Sequence, residues 1–267
     1  MPMKAVSLAS GSKGNSYLIS TDNTKILIDL GISEKELLEK LNLLKINPEN
    51  IDAIFITHEH DDHIKGLQTF LKNYNPKIFI NNECVTYANQ KLKNSLKNVT
   101  TFSDGENIVL NDLLIENFQQ SHDSKHCNGF SVSDGKAKVS VSTDLGIANQ
   151  NIINHLSTSN LVYLEANHDV NLLLDNQNYP VFLKKRILGN KGHLSNTASE
   201  EIIENLTNQN VSQVVLSHLS EENNSPSLAY NYIKNKLKEK DIIEGQDIFI
   251  DVARQYRIGT LFNLTKK

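Results

Sequence analysis

The feature that most constrains the fold is an apolar run at residues 53–57 that leads directly into His58-Glu59-His60-Asp61-Asp62-His63. The run has the length and composition of a buried strand. Side chains two apart in an extended segment share a side, so His58 and His60 can converge on one ion, while a turn into a helix redirects Asp62 and His63 to a neighbouring point. Imidazole suits zinc, iron and manganese, and a carboxylate adds charge. Because four ligands exceed what one ion usually takes from one segment, the sequence favours two ions.

Three further residues have the same context as this cluster. His122, Asp144 and His218 each follow a predicted strand, at residues 113–118, 139–143 and 214–217. Ligands at strand ends converge on one edge of a sheet, where rigid elements can hold them. A lone histidine after a strand is more often structural, so these residues indicate a metal site only when they are taken as a set. For the first cluster the alternative is a surface loop rich in His and Asp by chance, which the apolar strand before it argues against.

Composition limits the class of protein. No apolar run approaches membrane-spanning length, and the N-terminus lacks the pattern of a signal peptide. Cys84 and Cys127 indicate free thiols in a reducing compartment, so a cytoplasmic location is expected. The net charge of −4 is not that of a typical nucleic-acid binder. We interpret the basic clusters at 184–191 and 234–240 as solvated surface.

The order of elements predicts one domain over residues 1–267, because no repeat, linker or low-complexity tract divides the chain. Strands are expected near residues 5–8, 17–20, 25–29, 161–165 and 213–217, and Asp134-Gly135 is typical of a tight hairpin turn. Helices are expected after a capping box at Ser33 and over residues 62–73, 195–208 and 226–238. This layout favours an α+β fold, an αββα sandwich of two mixed β-sheets with helices on the outer faces.

The ligand series resembles that of the metallo-β-lactamase-fold hydrolases over nearly the whole chain. The resemblance implies a first ion held by His58, His60 and His122 and a second held by Asp62, His63 and His218. Asp144 would bridge the two ions. His60 stands where the di-iron flavoprotein branch of the fold has Glu, which argues against that branch.

Four segments narrow the resemblance to the YycJ/WalJ group, which is described as bacterial and exonuclease-like. They are residues 7–16, 164–169, 192–196 and 216–220, and Lys13 departs from the small residue expected in the first of them. The segments around Glu165 and His193 also resemble those of tRNA 3′-processing nucleases, in which this pair relays a proton to the leaving group. Two structural alternatives remain: His193 could cap the helix that begins at Ser195, or Glu165 could orient a metal-bound histidine.

The function that these resemblances imply is a two-metal phosphodiesterase, most simply an exonuclease with DNA or RNA as its partner. Two divalent ions (Zn²⁺ or Mn²⁺), about 3.5–4 Å apart, would share a hydroxide that Asp62 or Asp144 orients. His193, assisted by Glu165, would protonate the departing oxygen. The alternative is a small-molecule ester or thioester hydrolase on the same dinuclear core. A third hypothesis, a non-catalytic binding protein, fits the complete ligand set poorly.

Overall fold

The computed structural model describes residues 2–209 and 211–265, which form two seven-stranded sheets. The strands are β1 (Met3–Ala9), β2 (Ser16–Ser20), β3 (Lys25–Ile28), β4 (Ala53–Ile56), β5 (Lys77–Asn81), β6 (Val99–Phe102), β7 (Ile108–Leu110), β8 (Leu113–Gln120), β9 (Cys127–Ser133), β10 (Lys138–Ser142), β11 (Leu161–Glu165), β12 (Gln213–Ser217), β13 (Phe249–Val252) and β14 (Phe262–Leu264). The helices are α1 (Glu34–Leu43), α2 (Asp61–Ile64), α3 (Leu67–Asn73), α4 (Val85–Lys91), α5 (Gln150–Ser157), α6 (Val170–Asp175), α7 (Val181–Leu188), α8 (Asn196–Asn208) and α9 (Pro226–Lys238), with a short 3₁₀ turn at Pro48–Asn50.

Both sheets are mixed. Sheet A has the order β14-β1-β2-β3-β4-β5-β6, and sheet B has the order β13-β12-β11-β10-β9-β8-β7. Strands β3 to β6 run parallel in sheet A, and β10 to β13 run parallel in sheet B, while the remaining neighbours are antiparallel. The carboxyl ends of the parallel strands in each sheet therefore lie at one edge.

The main core lies between the two sheets. Phe55 on β4 stacks on Phe79 of β5 within sheet A, with ring centroids 4.6 Å apart. The same ring meets Phe130 of sheet B edge-on at 5.6 Å. All three side chains are buried, and aromatic pairs at these distances add to the stability that burial provides. This packing holds the sheets face to face.

Helices cover the outer face of each sheet. Leucines and isoleucines of α5, α8 and α9 pack on sheet B, and apolar residues of α1, α3 and α4 pack on sheet A. The αββα architecture predicted from the sequence is therefore confirmed. Within the described ranges, no helix has the length and apolar character needed to cross a membrane.

The helix predicted over residues 62–73 is wrong as a single element. It divides into α2 and α3 because two of its backbone groups bond elsewhere. Asp62 O accepts from Asn15 N (2.8 Å), and Gly66 N donates to Leu30 O (3.0 Å). A Cβ at Gly66 would lie 2.0 Å from Ile32 O, so only glycine allows this close approach. The break fixes the segment of predicted metal ligands to the loops that follow β1 and β3.

Two neighbouring buried tyrosines allow a test of the core. Tyr17 OH lies 2.8 Å from Ser10 Oγ, whereas Tyr163 OH has no hydrogen-bond partner within the described residues. A buried hydroxyl without a partner costs stability, and a bonded one contributes about 0.5–1.5 kcal/mol. We expect Tyr163→Phe to leave the free energy of unfolding unchanged or raise it, and Tyr17→Phe to lower it, in urea denaturation. A clear loss in Tyr163→Phe would contradict this description of the core.

Candidate metal centre

All seven predicted ligands lie together at the edge where the two sheets meet. Their ring nitrogens and carboxylate oxygens form three sets whose atoms lie within 4.8 Å of one another: His58, His60 and His122; Asp62, His63 and His218; and His58, His63 and Asp144. The first two sets are the two sites that the family resemblance implies. That these residues hold metal stays a prediction. Its first requirement, that the ligand atoms of each site lie close together, is met.

Asp144 lies between the two sets. Its Oδ2 is 3.0 Å from His63 Nε2, and its Oδ1 is 3.6 Å from His122 Nε2 and 3.5 Å from His218 Nε2. One carboxylate thus faces histidines of both predicted sites. This is the position that a bridging ligand needs.

The strand ends position these side chains. His58 follows β4, Asp144 follows β10 and His218 follows β12. Asp144 and His218 both have left-handed backbone conformations, with φ of 61° and 56°. Such conformations are costly for residues other than glycine and concentrate at functional sites. Here they turn each side chain away from its strand and toward the shared edge.

The donor set fits divalent ions. His58 is fully buried, and its Nε2 has no hydrogen-bond partner among the residues described. Its burial holds the pKa of the imidazole well below the usual range, so the ring is neutral and Nε2 can act as a ligand. His60 and His122 have lowered pKa values for the same main reason. A neutral imidazole cluster beside buried carboxylates is what zinc or manganese requires.

Charge is concentrated at the second predicted site. Burial acts against ionisation of Asp144, but the neighbouring histidines, His218 foremost, hold its pKa well below the usual range. Burial likewise acts to lower the pKa of His63, yet the carboxylates of Asp144 and Asp62 raise it well above the usual value. These shifts describe the protein alone, in which histidine protons balance the carboxylates. Metal binding must displace those protons.

An outer layer that the sequence reasoning missed holds His63. Asp29 Oδ2 accepts from His63 Nδ1 at 2.7 Å and from Thr57 Oγ1 at 2.8 Å, while Asp29 Oδ1 accepts from Thr57 N at 2.8 Å. Asn15 Nδ2 lies 3.3 Å from Asp62 Oδ2 and 3.1 Å from His63 Nε2. Asp29 ends a predicted strand, as Asp144 does, and that shared signal could have indicated it.

Glu165 and His193 form a second arrangement beside the predicted metal centre. Glu165 Oε1 accepts from His193 Nδ1 at 2.7 Å and from His218 Nδ1 at 3.0 Å. Glu165 Oε2 accepts from the backbone N–H groups of Leu145 and Leu194 at 2.8 and 3.1 Å. The carboxylate therefore contacts both histidines at once, as the relay and the orienting role each require. The helix-cap alternative for His193 is wrong, since Ser195 caps α8 with its own hydroxyl.

Electrostatics at His193 follow from this contact. Burial acts to lower the pKa of His193, but the Glu165 carboxylate outweighs it and raises that pKa above the usual value. The pKa of Glu165 is held below its usual value against its own burial, mainly by His193. Since His193 Nδ1 is bonded to Glu165, Nε2 is the nitrogen left for other partners.

The basic cluster at 184–191 lies at the solvated surface, as predicted, with the Arg186 side chain 56% exposed. Arg186 of α7 forms an ion pair with Asp123, whose other oxygen lies 3.4 Å from His122 Nε2. Arg186 and His193 border the same pocket. The cluster at 184–191 therefore reaches the rim of the site. The cluster at 234–240 also agrees with the prediction, because Lys234, Lys236 and Lys240 pair with surface carboxylates.

Comparison with known proteins agrees with the fold. The family model described as the metallo-beta-lactamase superfamily matches residues 9–173, more than half of the chain. The solved structure of the metallo-beta-lactamase fold protein YhfI from Bacillus subtilis superimposes with a TM-score of 0.74. The superposition covers 98% of this chain and 99% of that one at 17% identity, so it supports the fold alone. The class is thus a metallo-beta-lactamase-fold protein.

Two curated relatives narrow the class. Exodeoxyribonuclease WalJ of Streptococcus pneumoniae is 33% identical over 245 residues, and exodeoxyribonuclease YycJ of Bacillus anthracis is 31% identical over 248 residues. Each alignment covers 90% of both chains. The chain belongs to the WalJ/YycJ-like subfamily of the metallo-beta-lactamase superfamily. The predictions of this subfamily and of a metal-dependent hydrolase are confirmed.

The outer layer generates a test of the predicted centre. In Asp29→Asn the amide N–H₂ would face either the Thr57 backbone N–H, at the position of Oδ1, or the His63 Nδ1–H and the Thr57 hydroxyl, at the position of Oδ2, all of which donate to the carboxylate in the wild type. We expect metal affinity to fall about 10–100-fold, the usual effect of losing such an outer partner, measured by competition with a chelator. Asp52→Asn is the matched control. Asp52 precedes β4, at the end of the strand away from the predicted centre, and its carboxylate accepts from Lys25 N. Equal affinities for Asp29→Asn and wild type would exclude this role.

Proposed function

We propose that this chain is a metal-dependent exodeoxyribonuclease that hydrolyses phosphodiester bonds at a strand end. The observation that carries the proposal is the Glu165–His193 pair beside seven converging ligands. A phosphodiester expels an alkoxide, which must receive a proton, and a carboxylate-supported imidazole is suited to supply it. The names of the two curated relatives, both exodeoxyribonucleases, support the same substrate class.

The proposal includes two divalent ions per chain. His58, His60 and His122 would hold one, Asp62, His63 and His218 the other, and Asp144 would contact both. Bound ions of this kind activate water and offset the negative charge that develops on a phosphate. Zinc and manganese both suit histidine–carboxylate donors. The cytoplasm remains our inference for the compartment, because both cysteines are buried and unpaired.

The protein's own groups have separate tasks in this scheme. His193 would hold a proton on Nε2 and donate it to the departing oxygen. Glu165 would keep Nδ1 protonated through the 2.7 Å bond and so keep Nε2 able to exchange its proton. Asp62, partly exposed at the rim and held ionised, would orient the attacking water. The low pKa of Asp62 arises because His63 and His218 together outweigh the effect of its burial.

The substrate assignment is tested with end-labelled nucleic acid. Single- and double-stranded DNA and RNA are incubated with the purified protein, with zinc and manganese supplied separately. We expect DNA to be shortened stepwise from one end, and the label position gives the polarity. Internal cuts would exclude an exonuclease, and intact nucleic acid beside rapid hydrolysis of an ester or thioester would favour the small-molecule alternative.

The proton-donor role is tested by the leaving group. We expect His193→Ala to slow cleavage of DNA about 10²–10⁴-fold, the usual contribution of a general acid. The same variant should hydrolyse bis(p-nitrophenyl) phosphate nearly as fast as wild type, because nitrophenolate leaves without a proton. His58→Ala serves as the control that should lose both activities. A uniform loss on both substrates in His193→Ala would instead indicate a structural role.

A further inference from the structure

The arginines of this chain have an unusual distribution. Among its 27 basic residues only three are arginine: Arg186, Arg254 and Arg257. All three border two pockets on the side of the molecule that holds the predicted metal centre. Arginine offers a planar set of donors that matches a phosphate, whereas lysine offers a point charge. In a chain whose other basic residues are all lysine, the placement of the three arginines around these pockets indicates a site for a phosphate group.

The two pockets adjoin each other. The smaller pocket contains His193 and Arg186, the larger one contains Arg254 and Arg257, and Ser220 lines both. Ser220 lies two residues after the predicted ligand His218. The larger pocket has a volume of about 620 Å³, within the range that accommodates a small-molecule-sized group. Together they form one groove, which we call the arginine groove, that begins at His193.

The charges within the groove are unequally neutralised. Arg186 is paired with Asp123. Glu221, the acidic residue of the larger pocket, is paired with Lys13 at 2.6 Å. Arg254 and Arg257 are exposed, and neither makes a side-chain hydrogen bond or ion pair within residues 2–209 and 211–265. The larger pocket therefore has two uncompensated guanidinium groups.

The backbone that carries these two arginines is fixed to the metal-ligand loop. Ser10 N donates to Arg254 O at 3.1 Å, and Ser10 Oγ accepts from His218 N at 2.7 Å. Gln255 holds the loop after β1 from both sides: its Oε1 accepts from Lys13 N (2.9 Å) and its Nε2 donates to Gly14 O (2.8 Å). Two hydrogen bonds thus link Arg254 to a predicted ligand. The backbone from which the Arg254 side chain extends is therefore fixed relative to the predicted centre.

We propose that the arginine groove is the binding track for a single DNA strand, with Arg254 and Arg257 contacting a phosphate beyond the bond that is cut. The inference rests on the nuclease function proposed above. It adds where the rest of the strand lies, beyond the bond that is cut. Phosphates give a strand regularly spaced negative charge, so a charged groove leading away from the site would hold it in line. Tyr256, between the two arginines and exposed, offers a ring on which a base can stack.

The test separates binding along the groove from chemistry. The double variant Arg254→Gln/Arg257→Gln is compared with wild type on a long single-stranded oligonucleotide and on bis(p-nitrophenyl) phosphate. We expect KM for the oligonucleotide to rise about tenfold or more with kcat retained. Hydrolysis of the small diester should be unchanged, since a molecule of that size at the cleavage site does not extend to Arg254 and Arg257. The dependence of affinity on salt should also weaken by about one counterion for each phosphate that the variant no longer neutralises.

Two controls make the result specific. Lys136→Gln removes one exposed positive charge, against two in the double variant, at the β9–β10 turn, the end of β9 opposite Cys127, and should change nothing. Arg254→Lys/Arg257→Lys retains the charge and should recover part of the affinity. An unchanged KM and salt dependence in the folded Gln double variant would overturn the groove assignment while leaving the nuclease function standing.

A binding measurement tests the groove assignment in the case that the nuclease function is wrong. Fluorescence anisotropy of a labelled single strand requires no turnover. If wild type binds the strand without cleaving it and the Gln double variant loses that binding, the groove assignment holds and the nuclease function fails. If the two proteins bind equally, or neither binds, the groove assignment is wrong.

Discussion

The packing of the two sheets is the constraint on which the rest of this molecule depends. Sheet A supplies His58, His60, Asp62 and His63, while sheet B supplies His122, Asp144 and His218. Neither sheet alone holds a complete predicted metal site. The contact of Phe55 with Phe130, 5.6 Å between ring centroids, fixes the separation of the sheets near this edge. Relative movement of the sheets would separate the two halves of the site. The packed core opposes such movement because it deforms little.

Buried carboxylates reveal what this edge is built to hold. Asp29, Asp144 and Glu165 are almost fully buried, where an uncompensated charge is very costly. Each of them lies against at least one histidine of the site. In the protein alone, protons on those histidines offset the negative charge. Divalent ions would take over that task, so metal loading and the stability of this edge are coupled.

Glu165 connects the predicted metal centre to the proposed proton donor. One oxygen, Oε1, serves both His193 and His218, and the other is held by two backbone N–H groups. The carboxylate therefore has no freedom to favour one histidine by rotating away from the other. The sequence left two roles for Glu165 as alternatives: orienting the predicted ligand His218 and supporting the proposed proton donor His193. In this geometry the one side chain meets the requirements of both.

The sequence predicted the fold and the converging residues for identifiable reasons. An apolar strand before a histidine cluster, and polar residues just after strands, are patterns that survive without knowledge of the tertiary structure. Asn15 and Thr57 were missed because their role depends on which loops meet, which local sequence does not encode, whereas Asp29 shares with Asp144 a place at the end of a predicted strand. The break at Gly66 has the same origin, since Asp62 O and Gly66 N bond to residues more than thirty positions away.

A net negative charge does not argue against a nucleic-acid partner, for a related reason. The formal charge of −4 is a sum over the whole chain, whereas a strand contacts only one face. Most lysines with close partners neutralise neighbouring carboxylates, such as Lys240 with Glu200 and Glu204. The uncompensated guanidinium groups of Arg254 and Arg257 lie beside the predicted centre, where divalent ions would add further positive charge. A protein that is acidic overall can therefore attract a phosphate backbone at one groove, provided that the backbone carrying its positive groups is fixed beside that groove, as the bond from Ser10 N to Arg254 O fixes it here.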